Sequence, residues 1–233
     1  MTTLTFPGDP PVDIHLRRSA RARRLSLRVS RLQRSVTLTV PERAPQADAV
    51  AFATEKLDWI RGHLAQLTPE ILVDIGASLP VEGEMRQVQW GTGRSLALAP
   101  GAVLVPGSVR AVPARVGGFL KELARDRLAE ASDRYAGAIG RYYTKLVLRD
   151  TRSRWGSCSS EGRLMYSWRL ILAPPAVLDY VAAHEVAHLA EMNHSPRFWA
   201  IVEEICPAYR TNRSWLRRHG EDLHRYRFGG HGG

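Results

Sequence analysis

The segment HEVAHLAEMNH, residues 184–194, directly follows the apolar run VLDYVAA and concentrates three histidines and two glutamates. His184 and His188 are four residues apart, so on a helix their side chains project from the same face, with Cβ atoms about 5 to 6 Å apart. This separation suits two ligands of one metal ion. We predict a helix over residues 175–191 that starts at Pro174-Pro175, because proline is well suited to the first turn of a helix.

The same segment offers a third ligand and a general base. His194 lies six residues beyond His188, and Asn193 tolerates the turn that would bring it back to the metal. Ser195-Pro196 then resembles the cap and first position of another helix. Glu185 follows the first histidine, where its carboxylate could reach a metal-activated water. The pattern H-E-x-x-H predicts a zinc hydrolase with three protein ligands and an open fourth position.

The composition restricts the class of protein. The chain has 233 residues, of which 44% are hydrophobic, and only two cysteines. It is long enough for a substantial core, and it has too few cysteines for a disulfide scaffold or a cysteine-rich zinc site. No apolar run approaches the roughly 18 to 20 residues of a membrane span, and no signal peptide is evident. We therefore expect a cytoplasmic protein without a membrane partner.

The chain is strongly basic, with a formal net charge of +10. A basic surface attracts anions, so nucleic acid or a nucleotide is a possible partner. A solvated strand face explains the local arginine excess equally well. Eight arginines lie close together near the N-terminus: Arg17, Arg18, Arg21, Arg23, Arg24, Arg28, Arg31 and Arg34.

The pattern of apolar residues predicts an α+β fold. We divide it into an N-terminal β-rich region with one helix, residues 1–111, and a catalytic region, residues 112–233, which together could form one compact domain. The predicted elements are a β-hairpin over 25–40, a helix from about 45 to 67, an antiparallel segment over about 74–108, a helix over about 112–140, and two strands of which the second is 164–172.

Several motifs resemble the YgjP-like metallopeptidase family, zincins distantly similar to the SprT and WLM protease domains. They are RWGSCSS, WRLILAPP, DYV, HEVAHL, MNHSPRFW and WLRRHG. The resemblance implies a zincin-like catalytic half in which His184, His188 and His194 bind Zn²⁺ and Glu185 activates the water for hydrolysis of a protein or peptide. By the same resemblance, residues 166–170 would form an edge strand to which an extended substrate adds.

Other readings stay open at this point. Arginines around a metal-activated water could serve a phosphoanhydride hydrolase acting on nucleoside triphosphates. Zinc could instead stabilise a nucleic-acid-binding module, although such a site does not need Glu185. Candidates for stabilising the oxyanion are Arg154, Tyr166 and Tyr209, and Glu191 is a candidate partner for a ligand histidine. The substrate-binding residues remain unspecified.

Overall fold

The computed structural model of the chain describes residues 2–30, 35–65, 69–107 and 110–229. The chain divides into two compact units, Met1–Pro69 and Glu70–Gly233, and each has its own hydrophobic core. Helices and strands occur in both units, which confirms the predicted α+β class. The boundary expected at residues 111 and 112 falls inside the second unit, because the strands between residues 71 and 106 share a core with the helices that follow.

The first unit packs two helices against one face of a four-stranded sheet. Alternate residues of its strands, such as Ile14 and Leu38, are fully buried against Ala53 and Ile60 of the helices. The order is β1-β2-β4-β3, in which β2 and β4 are parallel and the other pairs antiparallel. The elements are β1 (Thr2–Phe6), β2 (Val12–Ser19), β3 (Ser26–Ser30), β4 (Ser35–Pro41), α1 (Gln46–Glu55) and α2 (Leu57–Ala65).

The predictions for this unit hold with one change. Strands β3 and β4 are antiparallel with Ser30 opposite Ser35, which confirms the hairpin. Its turn, with Arg31 and Arg34, lies outside the described residues, as does the end of the predicted helix at residue 67. In place of one continuous helix, the structure has two, α1 and α2, which are separated at Lys56.

The second unit begins with a sheet of order β6-β7-β9-β8. The strands of this sheet are β6 (Ser78–Val81), β7 (Glu84–Gly91), β8 (Ala97–Ala99) and β9 (Ala102–Pro106), and a short strand outside it, β5 (Ile71–Leu72), precedes them. Strands β7 and β9 are parallel, so the prediction of a purely antiparallel segment was wrong for this pair. The tight β8–β9 hairpin places the more apolar β9 in the interior of the sheet and leaves the short β8 at its edge.

The long helix α3 (Val112–Ala138) confirms the predicted helix and packs against a three-stranded sheet and the following helix, α4 (Pro175–Ala187). The strands are β10 (Lys145–Arg149), β11 (Gly156–Cys158) and β12 (Arg163–Ser167), in the order β10-β12-β11. The predicted strand over 164–172 ends at Ser167. A 3-10 helix, Trp168–Leu172, follows because all five of its side chains are buried, whereas a strand would point alternate ones to opposite faces.

The remaining elements close the second unit. They are α5 (Pro196–Ile205), α6 (Tyr209–His219), a 3-10 helix (Gly220–His224) and β13 (Tyr226–Arg227), which pairs with β5. Buried Arg169 holds this C-terminal segment by donating to the carbonyls of Leu223 and Tyr226 at 3.1 and 3.0 Å and to the Asp150 carboxylate at 2.6 Å. Across the described ranges, no helix has the length and apolarity to traverse a bilayer.

Candidate metal centre

Helix α4 holds the first two histidines in place. It starts from Pro174 with Pro175 in its first turn, as predicted, and it is buried around nearly its whole circumference, so its rotation is fixed by packing. It ends at Ala187, earlier than the predicted 191. His188 keeps helical backbone angles as the cap, so the spacing of four residues still brings the rings of His184 and His188 to 5.1 Å between centroids.

The chain turns towards the third histidine by tightening the end of α4. The N–H groups of Leu189 and Ala190 donate to carbonyls three residues back, at 2.9 and 3.0 Å. The chain bends at Met192 and Asn193, as predicted, and Asn193 does so without adopting the left-handed conformation. Ser195 is the cap of α5, as predicted, and its hydroxyl accepts from the N–H of Phe198 at 3.3 Å.

The three histidines converge on one point. One nitrogen from each of His184, His188 and His194 lies within 4.8 Å of the others. The Nε2 atoms of His184 and His194 are 3.1 Å apart, close to the separation of about 3.3 Å between two nitrogens bonded to one tetrahedral zinc. His188 Nδ1 lies 3.1 Å from the backbone carbonyl of Glu191, which leaves its Nε2 for a metal. Glu191 thus contributes its carbonyl, and not the carboxylate considered from the sequence.

His184 and His188 are held in the form that binds metal. Burial, together with His188 and His194, lowers the pKa of His184 to about 3. Burial also lowers the pKa of His188. A neutral imidazole carries the free nitrogen lone pair that a metal ligand requires, so these two histidines can bind a cation without first losing protons.

Glu185, the residue after His184 on α4, is buried, with 5% of its surface exposed. Burial raises the pKa of its carboxyl to about 8, and the charge of Arg154 partly opposes that shift. The carboxylate rests against Gly156 of β11. A Cβ built on this glycine would lie 2.6 Å from both Cγ and Oε1 of Glu185, so only glycine leaves the side chain where it is. Sequence reasoning missed this requirement, although Gly156 lies within the RWGSCSS motif.

A second unpredicted residue, Phe198, forms the floor of the histidine cluster. Its ring is fully buried and lies 4.4 Å from His188 in a stacked arrangement, 4.9 Å from His184 and 4.8 Å from His194 between centroids. The Ser195 cap positions Phe198 in the first turn of α5. The feature of the sequence that could have indicated Phe198 is its position three residues after the Ser195 cap.

Two of the predicted oxyanion donors are engaged in packing. Buried Tyr166 is hydrogen bonded to Ser132 Oγ at 3.0 Å. Tyr209 stacks on Trp199 at 5.5 Å, and its hydroxyl accepts from Arg210 at 3.1 Å.

The predicted edge strand over residues 166–170 is also wrong. Strand β12 lies between β10 and β11, and its continuation is the 3-10 helix. Strand β11 is an outer strand of this sheet.

Comparison with protein families agrees with the geometry of this centre. The family model described as "YgjP-like, metallopeptidase domain" matches residues 23–219. The crystal structure of the metallopeptidase zymogen of Pyrococcus abyssi abylysin is similar at 20% identity and a TM-score of 0.36, over 40% of this chain and 93% of that one. No curated protein gives a significant match. Because the family match covers most of the chain, including all three histidines and Glu185, the chain belongs to the YgjP-like metallopeptidase family.

Proposed function

We propose that the chain is a zinc-dependent peptidase in which His184, His188 and His194 hold the metal and Glu185 is the general base. The observation that supports this most is the convergence of three imidazole nitrogens, together with a buried carboxylate, Glu185, on the helix that carries His184. Three nitrogen ligands suit zinc better than magnesium or calcium, which prefer oxygen. A bound Zn²⁺ would polarise the substrate carbonyl and acidify the attacking water.

The protein side chains would then handle the proton and the orientation of the site. Glu185 takes a proton from the attacking water and returns it to the leaving amine. Burial raises the pKa of Glu185, and Arg154 opposes this shift by favouring the ionised form, which is the form a base requires. The Glu191 carbonyl keeps the His188 proton on Nδ1, and Phe198 restricts the tilt of the three rings.

Strand β11 is the proposed position for the substrate backbone. Its three residues, Gly156–Cys158, pair with β12 on one side, and no strand in the described part of the chain pairs with the other edge, whose N–H and C=O groups could bind an extended peptide. Gly156 contacts Glu185, so a peptide on this edge would pass close to the base. This assignment replaces the edge expected over residues 166–170.

The test combines metal analysis with turnover. Wild type, His188→Ala, Glu185→Gln and a control, His15→Ala in the first unit, are each reconstituted with zinc and given an unfolded protein or nucleoside triphosphates. We expect about one zinc per chain, lost only in His188→Ala, and cleavage of the unfolded protein lost in both site variants. Pyrophosphate or phosphate release that depends on Glu185, without peptide cleavage, would favour the phosphoanhydride reading. Full peptide cleavage by Glu185→Gln would exclude its role as the base.

A further inference from the structure

A cavity of about 410 Å³ opens next to the metal centre, within the second unit. Three segments form its walls: the loop between α3 and β10, the turn between β11 and β12, and the turn that follows α4. Its lining includes Arg141, Tyr142, Ser159, Glu161, His188 and Met192. Because the metal ligand His188 lines the cavity, any group that enters it lies beside the reaction centre.

The walls of this cavity are joined before substrate arrives. Thr144 donates from its backbone N–H to the Gly162 carbonyl and from its hydroxyl to the Glu161 carbonyl, both at 2.9 Å, which ties the first wall to the second. Gly162 has a φ of 71°, and a Cβ on it would lie 3.5 Å from Leu189 of the third wall. A preformed cavity of this kind does not need to be ordered when a ligand binds.

The cavity is lined by a charge of each sign, the ionised Glu161 carboxylate and the Arg141 guanidinium. The Glu161 carboxylate already accepts hydrogen bonds from the hydroxyls of Ser159 and Ser160, at 2.9 and 3.1 Å. The exposed guanidinium of Arg141, by contrast, has no hydrogen bond or ion pair with any residue in the described part of the chain. An arginine with unused donors is suited to a carboxylate, which it can bind through two parallel hydrogen bonds.

The cavity lies where a bound peptide would place a side chain. Gly156 in β11 contacts Glu185. Ser159 follows the last residue of β11 and lines the cavity. These two residues are about 10 Å apart at roughly 3.3 Å per residue of extended chain. A peptide paired with β11 and cleaved near Glu185 would therefore direct a side chain within about three residues of the scissile bond into the cavity.

We propose that this cavity is a substrate subsite for an aspartate or glutamate side chain and that Arg141 determines that specificity. The inference rests on the peptidase function proposed above and adds a substrate class to it. Tyr142 and Met192, whose side chains are 93% and 49% exposed, offer apolar surface to the methylene groups of the bound residue.

The test is a set of peptides that differ only by Asp, Glu, Ala, Lys or Arg at each position within four residues of the bond cleaved. Wild type, Arg141→Glu and a control, Arg125→Glu on the exposed face of α3, are compared by kcat/KM. At one position we expect wild type to prefer acidic over basic residues by about three- to tenfold, the effect of a partly exposed ion pair. Arg141→Glu should reverse this preference, and Arg125→Glu should retain it.

A binding measurement separates specificity from catalysis. Calorimetry with zinc-loaded Glu185→Gln should give a lower Kd for the acidic than for the basic peptide, and adding Arg141→Glu should reverse the order. Peptide cleavage by wild type with no acidic preference, or with one that Arg141→Glu leaves intact, would overturn the subsite and leave the peptidase standing. No peptide cleavage or binding by any form would overturn both proposals together.

Discussion

Replacing Gly156 with alanine tests the close contact between β11 and the proposed base. The added Cβ would lie 2.6 Å from Cγ and Oε1 of Glu185 and 2.8 Å from Cδ, whereas ordinary contact begins near 3.4 Å. The backbone of Gly156 is outside the left-handed region, so alanine is allowed there by conformation. The end of the glutamate side chain must therefore move, while the helix that carries it stays packed.

The size of the effect follows from that movement. Relieving the contact requires a shift of about 0.8 Å in the Glu185 carboxylate, and a misplacement of about 1 Å in a reacting group can cost about 10²-fold in rate. We expect kcat/KM for peptide cleavage to fall by about 10²-fold, equal to roughly 2.7 kcal/mol of transition-state stabilisation. The fold should tolerate the change at a cost of about 1 to 3 kcal/mol, because a flexible side chain absorbs the overlap.

The assay compares kcat/KM, zinc content and the free energy of unfolding for Gly156→Ala and wild type. The matched control is Gly118→Ala in α3, where nothing lies within 4 Å of the new Cβ and alanine should stabilise the helix by about 0.5 to 1 kcal/mol. Zinc content should stay at the wild-type value, because the substitution does not touch the histidines. Unchanged activity in Gly156→Ala would refute the reasoning, and so would an activity loss that follows the loss of zinc.

Two further substitutions test how the second unit is held together. Phe198→Ala removes a fully buried ring under the histidines and should lower the free energy of unfolding, measured in urea, by about 3 to 5 kcal/mol. It should also weaken zinc binding in a chelator competition, and unchanged zinc affinity would contradict the role of Phe198 as the floor of the site. Asp150→Asn leaves buried Arg169 without its charged partner and should cost about 1 to 3 kcal/mol near pH 7, since the Asp150 side chain is itself 49% exposed. Burial raises the pKa of Asp150, but the hydrogen bonds and charge of Arg169 outweigh this and lower it. The ionised carboxylate therefore stabilises the fold above its unfolded pKa of about 3.9. The difference in the free energy of unfolding between wild type and Asp150→Asn should shrink below about pH 4, and a difference that grows on acidification would contradict this assignment.

The metal centre could be predicted largely from local sequence. The spacing of His184 and His188 determines that they share a helix face, and the Ser195-Pro196 pair marks the start of the next helix. Both features depend on backbone periodicity over a few residues. The same short segment predicted that His194 converges with them, and the structure brings together all three predicted ligands.

The strand arrangement could not be predicted in this way. The parallel pairing of β7 with β9 and the central position of β12 depend on which strands neighbour one another in the sheet. Alternating apolar residues identify a strand but do not specify its partner or direction. The expected edge over residues 166–170 was wrong for this reason, since an edge is a property of the assembled sheet.

What the sequence determined by itself is the chemistry of the centre: three imidazoles and one carboxylate at helical and turn spacing, which are set by the geometry of one continuous backbone. Only the tertiary structure decided which residues surround that chemistry. Gly156 lies against the Glu185 carboxylate, Phe198 lies against the imidazoles, and Arg141 lines the cavity that His188 also lines; these residues come from separate elements brought together by a common core. Contacts of this kind depend on how whole elements pack to exclude water and fill space, and no local pattern of residues specifies that packing.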